Sequence, residues 1–257
     1  MTIDYKSKWY EETKPNYSEF DTGIPEYWMM VYSDRWQWLS DCAGKDFFDS
    51  RKVLEIGCGM GRALKWFKEF GAIETGVEPS EKASAIARER GLNVINDYYP
   101  TEKVVGKFDV IYIEQVLSHA PNYKEIIQKV YEALEPGGLL FVEEPNDNNY
   151  LQSLLHAKHG NYWITADHCN YFDLHGMREI LTGQGFKVMM EMSTYPMEMF
   201  ALMGEDYIGN DEIGKQVHRK RFELESKLSP EARRNMYKAW ADMGIGRDLM
   251  FIAKKGV

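Results

Sequence analysis

One stretch decides the fold of this chain: Val53-Leu54-Glu55-Ile56-Gly57-Cys58-Gly59-Met60-Gly61-Arg62. Its first four residues predict a buried strand, and the apolar spacing over residues 62–70 predicts a helix directly after the turn. The turn carries glycine at every second position, and glycine tolerates positive φ and lets a ligand lie against bare backbone. The helix N-terminus adds backbone N–H donors at the same place. We therefore predict that this turn binds a ligand.

Predicted strands and helices alternate along the chain. Strands are expected at residues 53–56, 73–77, 93–96, 108–113, 139–143, 186–192 and 248–254, and helices at 62–70, 81–90, 123–134 and 177–184. This alternation predicts an α/β fold, with a doubly wound parallel sheet that helices cover on both faces.

Two segments fall outside the alternation. Residues 1–50 are rich in aromatic side chains and predict an N-terminal helical cap, which leaves residues 51–257 as the main domain. Residues from about 197 to 243 predict a helical insertion before the last strand. Such an insertion would form a lid beside the carboxyl ends of the strands, where open α/β sheets bind their ligands.

Composition excludes several classes of function. The 257 residues carry a net charge of −9, which disfavours a nucleic-acid partner because the phosphate backbone repels an acidic protein. The three cysteines form no C-x-x-C pair, which disfavours a zinc cluster or a disulfide framework. No apolar run reaches the roughly 20 residues of a membrane helix, and the first residues lack a secretory pattern. We expect a cytoplasmic monomer or homodimer whose partner is a small molecule.

The glycine spacing discriminates between nucleotide ligands. Dinucleotide-binding turns favour G-x-G-x-x-G and direct a helix dipole at a pyrophosphate. The turn here reads G-x-G-x-G, and Glu55 precedes it inside the strand. A buried carboxylate needs partners, which turn amides or a ligand ammonium can supply. An acidic, phosphate-free turn suits S-adenosylmethionine, which carries an ammonium and a sulfonium; a tight structural turn is the alternative.

Acidic residues also end the next two predicted strands. Glu78 is placed to accept both hydroxyls of a ribose, as the acid of nucleotide-binding folds does. Its alternative role is to stabilise the dipole of the following helix. Asp97 is placed to meet an adenine amino group, or else is an ordinary solvated loop aspartate.

A set of motifs in fixed order carries a family resemblance. The motifs are Leu54-Glu55-Ile56-Gly57-Cys58-Gly59-Met60-Gly61, Gly76-Val77-Glu78-Pro79-Ser80, Phe108-Asp109-Val110-Ile111 with Val116-Leu117-Ser118-His119, Leu134-Glu135-Pro136-Gly137-Gly138, Pro145-Asn146, His168-Cys169-Asn170-Tyr171-Phe172 and Gly185-Phe186. From about residue 51 to 186, with the final strand added, the chain resembles the class I S-adenosylmethionine-dependent methyltransferases. Within them it is similar to the group that includes ubiquinone-biosynthesis O-methyltransferases and many small-molecule methylating enzymes.

The resemblance implies a fold, a methyl donor and the residues that bind it. The fold is a Rossmann-like sheet of seven strands in the order 3-2-1-4-5-7-6, with the last strand antiparallel. S-adenosylmethionine is the donor and S-adenosylhomocysteine the product. The resemblance places Glu55 and the glycines at the methionine end, Glu78 at the ribose and Asp97 near the adenine. The complete expected donor set is Glu55, Gly57, Cys58, Gly59, Gly61, Glu78, Pro79, Asp97, Glu114 and Gln115.

Two histidines are the candidates for catalysis. Methyl transfer from a sulfonium needs alignment above all, and a general base only when the acceptor is a hydroxyl of high pKa. His119 follows the fourth strand, and its imidazole titrates near neutrality, which suits a base. His168 precedes the next helix and either contacts the substrate or fixes its loop. Some relatives hold a metal near the first histidine, but Gln115 and Ser118 stand at those positions here, so we predict no metal.

The methyl acceptor is the least determined part of the prediction. We expect transfer to O or N of a small polar metabolite, with a lean towards a phosphorylated or sugar-linked one because the lid is basic. A solvated helix face is the alternative explanation of those basic residues. The candidate substrate contacts are Tyr27, Trp28, Asn146, Tyr171 and Arg219. A nucleotide-dependent oxidoreductase and a non-catalytic cofactor-binding domain are the alternative functions.

Overall fold

The computed structural model describes residues 25–44 and 49–256. The predicted cap, residues 1–50, therefore lies outside the described residues except for positions 25–44, 49 and 50. The helices are α1 (Pro25–Ala43), α2 (Arg62–Glu69), α3 (Glu81–Glu89), α4 (Tyr123–Ala133), α5 (Tyr150–His159), α6 (Leu174–Gly183), α7 (Glu198–Leu202), α8 (Asp211–Ser226) and α9 (Pro230–Asp242). The strands are β1 (Lys52–Ile56), β2 (Ile73–Val77), β3 (Val94–Ile95), β4 (Phe108–Glu114), β5 (Leu134–Pro145), β6 (Lys187–Ser193) and β7 (Asp248–Lys254).

The strands form one seven-stranded sheet in the order β3-β2-β1-β4-β5-β7-β6. The strands β1 to β5 pair in parallel, and β7 runs antiparallel to both β5 and β6. The predicted fold class and strand order are confirmed. The start of β7 consequently lies at the same edge of the sheet as the carboxyl ends of β1, β4 and β5.

The two faces of the sheet bury alternate residues of each strand. Leu54 on β1 and Ile111 on β4 belong to a core covered by α4 and α6. Val53 and Val110, one position earlier, belong to a second core covered by α1, α2 and α9. Burial on both faces explains why these strands are apolar without interruption, as parallel strands usually are.

Three elements differ from the predicted ones. Strand β5 begins at Leu134, because Leu134 already pairs with Phe108 of β4, and the proline and glycines lie in an irregularity before Leu139 pairs with Val110. Helix α5 was not predicted, although Asn149 caps it and forms a capping box with Gln152. The lid is three helices, α7 to α9, and Ser229 caps the last with Pro230 at its first position.

Helix α1 packs against α9 and the end of α2 through a buried ion pair and aromatic rings. Asp34 accepts hydrogen bonds of 2.5 and 2.7 Å from the guanidinium of Arg233 on α9. Trp36 stacks on Phe70 after α2, with ring centroids 4.5 Å apart. No helix of the described residues is both long and apolar enough to cross a bilayer.

Candidate active site

The glycine turn is held by backbone hydrogen bonds to the neighbouring strand. The N–H groups of Gly57 and Cys58 donate to the carbonyl oxygen of Val77 at 2.8 and 3.1 Å. Gly57, Gly59 and Gly61 all have positive φ, at 72°, 52° and 79°. Side chains rarely adopt this conformation, so glycine is required throughout the turn.

Two of these glycines are also required by packing against protein atoms. A Cβ on Gly57 would lie 2.4 Å from a methyl of Val116, and one on Gly61 would lie 2.2 Å from a methyl of Leu92. Both neighbours are protein side chains, so these two positions serve the fold of the turn. The turn is thus pressed against the segment after β4 on one side and the segment after α3 on the other.

Glu55 is the buried acid at the end of β1. It is 5% exposed, and its Oε2 has no hydrogen-bond partner among the described residues. Burial raises the pKa of this carboxyl well above its ordinary value, and the nearby Glu114 carboxylate raises it further. A buried carboxylate oxygen without a donor is costly, and a cationic or donating ligand group would stabilise it. The ammonium of an amino-acid moiety fits this requirement.

Glu78 connects the glycine turn to the next helix. Its two oxygens accept hydrogen bonds from the backbone N–H of Gly59 at 2.9 Å and of Ser80 at 2.8 Å. Burial raises its pKa to about 7, although both bonds favour the charged form. The carboxylate therefore stabilises the turn itself. Its predicted contact with a ribose stays a prediction.

An asparagine that the sequence analysis did not single out, Asn96, fixes the backbone directly after Glu78 by hydrogen bonds. The amide of Asn96 donates to the carbonyl oxygens of Glu78 and Pro79 at 2.9 and 3.0 Å. Asp97 accepts from its neighbour's backbone N–H and from Thr101, and its carboxylate lies 2.8 Å from the ammonium of Lys103. Its predicted contact with an adenine likewise stays a prediction.

A buried charge cluster lies at the carboxyl ends of β4 and β5. The guanidinium of Arg35 on α1 lies 2.9 Å from the carboxylate of Glu114 and also donates to Glu143. Arg35 further donates to the hydroxyl of Tyr112, which in turn donates to Glu114 at 3.0 Å. Sequence analysis missed Arg35 and Glu143. Acidic residues within the apolar sequence of β5 were the available signal, because such residues are rarely buried without a partner.

The segment after β4 is a tight turn on a buried carboxylate. Gln115 has a positive φ of 56°, and its side-chain amide donates to Asp248 at the start of β7 at 3.2 Å. Glu144 accepts from the N–H groups of Val116, Leu117 and Ser118 at 2.6 to 3.0 Å. Burial raises the pKa of Glu144 to about 7 despite these bonds. This arrangement fixes the short 3₁₀ turn that carries His119.

The two candidate catalytic histidines lie together. Their rings meet edge to face with centroids 4.6 Å apart. Nδ1 of His119 lies 2.9 Å from the carbonyl oxygen of Asp167, so Nδ1 must carry the hydrogen that donates to it. In the neutral ring, Nε2 is then the basic nitrogen. Among the described residues, no group of three or more His, Cys, Asp or Glu side chains could hold a metal ion.

The predicted substrate contacts are spread over several surfaces. The guanidinium of Arg62 lies 4.2 Å from the ring centroid of Trp28, which places α1 over the start of α2 and next to the glycine turn. Tyr27 packs edge-on against Phe222 of α8. The exposed Tyr171 donates to the carbonyl oxygen of Thr165 at 3.2 Å.

Two other predicted substrate contacts differ sharply in exposure. Asn146 is 1% exposed, and its amide donates to the carbonyl oxygen of Gly246 at 3.1 Å. It therefore anchors the segment before β7. Arg219 lies on the exposed side of α8. The locations of these five residues do not test whether they contact a substrate, so each predicted contact stays a prediction.

Most of the basic lid is neutralised within the protein. Arg221 pairs with Glu225 within α8 at 3.2 Å, and Arg233 pairs with Asp34. Lys220, Arg234 and Arg247 pair with Glu205, Asp41 and Glu198. These partners remove much of the positive charge from which a phosphorylated substrate was inferred.

Comparison with known proteins identifies a family. A family model described as a methyltransferase domain matches residues 30–191, which is more than half of the 257 residues. The C-methyltransferase NovU of Streptomyces niveus is 29% identical over 143 residues, which are 51% of this chain and 34% of NovU. A ubiquinone biosynthesis O-methyltransferase of Pseudomonas aeruginosa is 31% identical over 135 residues, which are 49% of this chain and 57% of that protein.

Among solved structures, the fold is that of a SAM dependent methyltransferase from Archaeoglobus fulgidus. The TM-score is 0.60 and the identity 19%, over 96% of this chain and all of the other. The aligned region spans only about a third to just over half of the length of the two curated relatives. The segment that matches the family model, residues 30–191, runs from α1 to β6 and contains the glycine turn, the buried acids and both histidines.

Proposed function

Because the chain belongs to the methyltransferase domain family, we propose that it transfers a methyl group from S-adenosylmethionine to O or N of a small polar metabolite. The observation that supports donor binding most directly is the Oε2 atom of Glu55, which is buried beside the glycine turn without a partner in the described part of the chain. A pyrophosphate would oppose ionisation of this carboxyl group, whereas the ammonium of the methionine moiety would favour its charged form and pair with it.

The donor would lie along the carboxyl ends of the central strands. Glu55 and the backbone of Gly57 and Gly59 would hold its methionine end, and Glu78 and Asp97 would face the ribose and adenine. Cys58, Pro79, Glu114 and Gln115 would complete the site. We propose that residues 1–50 cover it as a cap, since Trp28 on α1 already lies over Arg62 at the end of the turn.

When bound, the donor supplies a methyl group on a sulfonium, which is already activated for displacement. The protein's task is to align the acceptor with that methyl group and to exclude water. Nε2 of His119 would take the proton that an acceptor hydroxyl loses as the methyl–oxygen bond forms. His168, packed edge-on against that ring, would position it or contact the acceptor.

The relatives do not settle which element of the acceptor is methylated. One relative is named a C-methyltransferase and another a ubiquinone biosynthesis O-methyltransferase. Transfer to O or N is favoured here because a histidine with a basic Nε2 serves a hydroxyl or an amine that must lose a proton.

Ligand-dependent stability tests the proposal. S-adenosylhomocysteine at about 100 times its dissociation constant should stabilise the protein by about 2.7 kcal/mol. NADH at the same concentration should leave the melting temperature unchanged. Stabilisation by NADH alone would favour a nucleotide-dependent oxidoreductase instead.

Methyl transfer itself needs a separate measurement. We expect deuterated methyl groups from labelled S-adenosylmethionine to appear on a component of a polar metabolite extract, detected by mass spectrometry. Tight binding of S-adenosylhomocysteine without transfer to any component would favour a non-catalytic cofactor-binding domain.

A further inference from the structure

A second group of buried polar side chains surrounds Arg247, next to the start of β7. Glu198 at the start of α7 is fully buried, and its Oε1 lies 3.5 Å from the guanidinium of Arg247. The hydroxyl of Tyr162 donates to the same oxygen at 3.3 Å. Burial raises the pKa of Tyr207, and the neighbouring carboxylate of Glu198 raises it further while the guanidinium of Arg247 lowers it. We name these four residues, with Asp147, the Arg247 pocket.

Two carboxylate oxygens in this pocket lack donors. Oε2 of Glu198 and Oδ2 of Asp147 have no hydrogen-bond partner among residues 25–44 and 49–256, and both side chains are at most 2% exposed. A buried carboxylate oxygen without a donor is unfavourable, so each of these atoms is placed for a donor that the described chain does not provide.

Solvent reaches the side chain of Arg247, although its partner Glu198 is fully buried. The side chain of Arg247 is 43% exposed. Partial burial lowers the pKa of its guanidinium, but the nearby groups of Glu198, Tyr207, Asp248 and Tyr162 outweigh burial and raise it. Burial and the positive charges of Arg221 and Arg247 lower the pKa of His218 on α8. The guanidinium of Arg247 is therefore accessible from solvent and lies close to a buried carboxylate.

The Arg247 pocket adjoins the proposed methyl-transfer site. Asp248 follows Arg247 and accepts a hydrogen bond from Gln115, the residue directly after β4. The N–H of Asn146 donates to the carbonyl oxygen of Arg247 at 3.0 Å, which joins the pocket to the end of β5. The pocket therefore opens at the same edge of the sheet as the glycine turn and His119.

We propose that the Arg247 pocket binds the methyl acceptor and selects one that presents amino or hydroxyl groups, not a phosphate. This inference rests on the proposed methyl transfer. Glu198 and Asp147 accept hydrogen bonds from the acceptor's donor groups, and Arg247 donates to one of its oxygens. The carboxylate of Glu198 pairs with Arg247, and those of Asp147 and Asp248 lie near enough to interact with the same guanidinium, so a doubly charged phosphate is repelled.

A matched pair of probes tests the selection. We choose glucosamine and glucosamine 6-phosphate, which differ only in the phosphate, and measure their binding to the protein saturated with S-adenosylhomocysteine by saturation-transfer NMR. The expected dissociation constant of glucosamine is at least about tenfold lower than that of the phosphate, as expected for one charge-assisted hydrogen bond gained or lost.

Variants then locate the binding. Glu198→Gln keeps the shape of the side chain and should raise the dissociation constant of glucosamine at least about tenfold. Glu179→Gln, at an exposed position on α6, should leave it unchanged. Equal or tighter binding of the phosphate, no detectable binding of glucosamine, or identical behaviour of the two variants would each overturn the proposal.

The binding of S-adenosylhomocysteine separates this test from that of the proposed function. Titration calorimetry of each variant with S-adenosylhomocysteine should give the wild-type dissociation constant, because Glu198 contacts Arg247 and Tyr162, which are not among the residues proposed to bind the donor. Failure of that titration with the wild-type protein would count against the methyltransferase proposal itself. Normal titration together with wrong probe selectivity would count against the acceptor class alone.

Discussion

The guanidinium of Arg35 donates a hydrogen bond to the carboxylate of Glu143 and so joins helix α1 to the end of strand β5. Both side chains are 4% exposed, and burial raises the pKa of Glu143 to about 8 although Arg35 opposes that rise. Without Arg35, the buried carboxylate of Glu143 and the partly buried carboxylate of Glu114 would repel each other. The described part of the cap is therefore held by an ion pair whose loss leaves uncompensated charge.

Arg35→Met should destabilise the protein by about 3 to 5 kcal/mol, the usual cost of breaking a buried ion pair. The double variant Arg35→Met with Glu143→Gln should recover part of this loss, because it removes one of the two orphaned charges. Urea denaturation followed by circular dichroism measures both. Arg234→Met, which breaks the more exposed pair with Asp41, should cost less than about 1 kcal/mol. Similar losses in Arg35→Met and Arg234→Met would refute the role of the buried pair.

Gly59→Val should abolish the binding of S-adenosylhomocysteine, because a side chain there would occupy the surface on which the ligand is proposed to lie. The matched control is Gly91→Val. Its φ of 78° imposes a comparable backbone strain, but a Cβ there meets nothing within 4 Å. Calorimetric titration should give no heat with the first variant and a normal dissociation constant with the second. Normal binding by Gly59→Val would place the ligand elsewhere.

Glu55 should release a proton when S-adenosylhomocysteine binds. Burial and the Glu114 carboxylate raise its pKa well above 4.5, so the free protein retains a proton on this carboxyl at pH values where an ordinary glutamate is ionised. The ligand ammonium favours the carboxylate, and affinity should therefore increase as the pH rises towards that raised pKa. Calorimetry in two buffers of different ionisation enthalpy counts the released proton.

The corresponding variant is Glu55→Gln. It should weaken binding about 10- to 100-fold, because a charge-assisted hydrogen bond is lost, and it should release no proton. Glu69→Gln, at a half-exposed position on α2, should behave as the wild-type protein does. Proton release that persists in Glu55→Gln would assign it to another group.

The features of the fold and the site that could be predicted from the sequence are those whose signals lie in one continuous stretch of the chain. The glycine turn and the strands β1 and β4 are continuous stretches whose apolar pattern and glycine spacing are local, and both were predicted. Partnerships across the sheet are not local. Arg35 lies 108 positions from Glu143, and no pattern in α1 indicates which carboxylates it meets.

The lid is a second example, in which the sequence showed the charges but not the partners that neutralise them. Its basic residues suggested an anionic substrate, because charge is visible in the sequence while its pairing is not. Arg233 meets Asp34 across 199 positions, and Arg247 meets Glu198 across 49. The Arg247 pocket could not be predicted for this reason, since its members come from α7, the α5–α6 segment, the α7–α8 segment and the two strand ends.

Stability should fall as the pH rises from about 5 to 8, in part through Glu144. Its pKa is raised by burial from 4.5 to about 7, so the folded protein binds a proton more tightly than the unfolded chain between those values. This contribution is complete below pH 4.5 and is lost as the pH passes 7, a change of about 3 kcal/mol. Glu144→Gln should reduce this pH dependence in urea denaturation, whereas the exposed Glu135→Gln should not. Equal slopes in both variants would show that other groups cause it.

His119→Gln should lower the turnover number by about a hundredfold or more for a hydroxyl acceptor, since a positioned general base contributes at least that much. The binding of S-adenosylhomocysteine should not change, because glutamine leaves the glycine turn untouched. In the wild-type protein the rate should rise as the imidazole loses its proton and Nε2 becomes basic. The variant should lose that rise, and this pH profile separates a base from a residue that merely shapes the loop.

His168→Gln supplies the comparison that completes the argument for His119. His168 is placed to hold the neighbouring ring at 4.6 Å, so its loss should lower the rate less than the loss of His119 and should keep the rise with pH. If His119→Gln kept both the wild-type rate and the wild-type pH profile, the acceptor would need no base from this histidine. Such a result would point to an acceptor that is already nucleophilic, such as a free amine, because a lone pair on nitrogen attacks without prior loss of a proton.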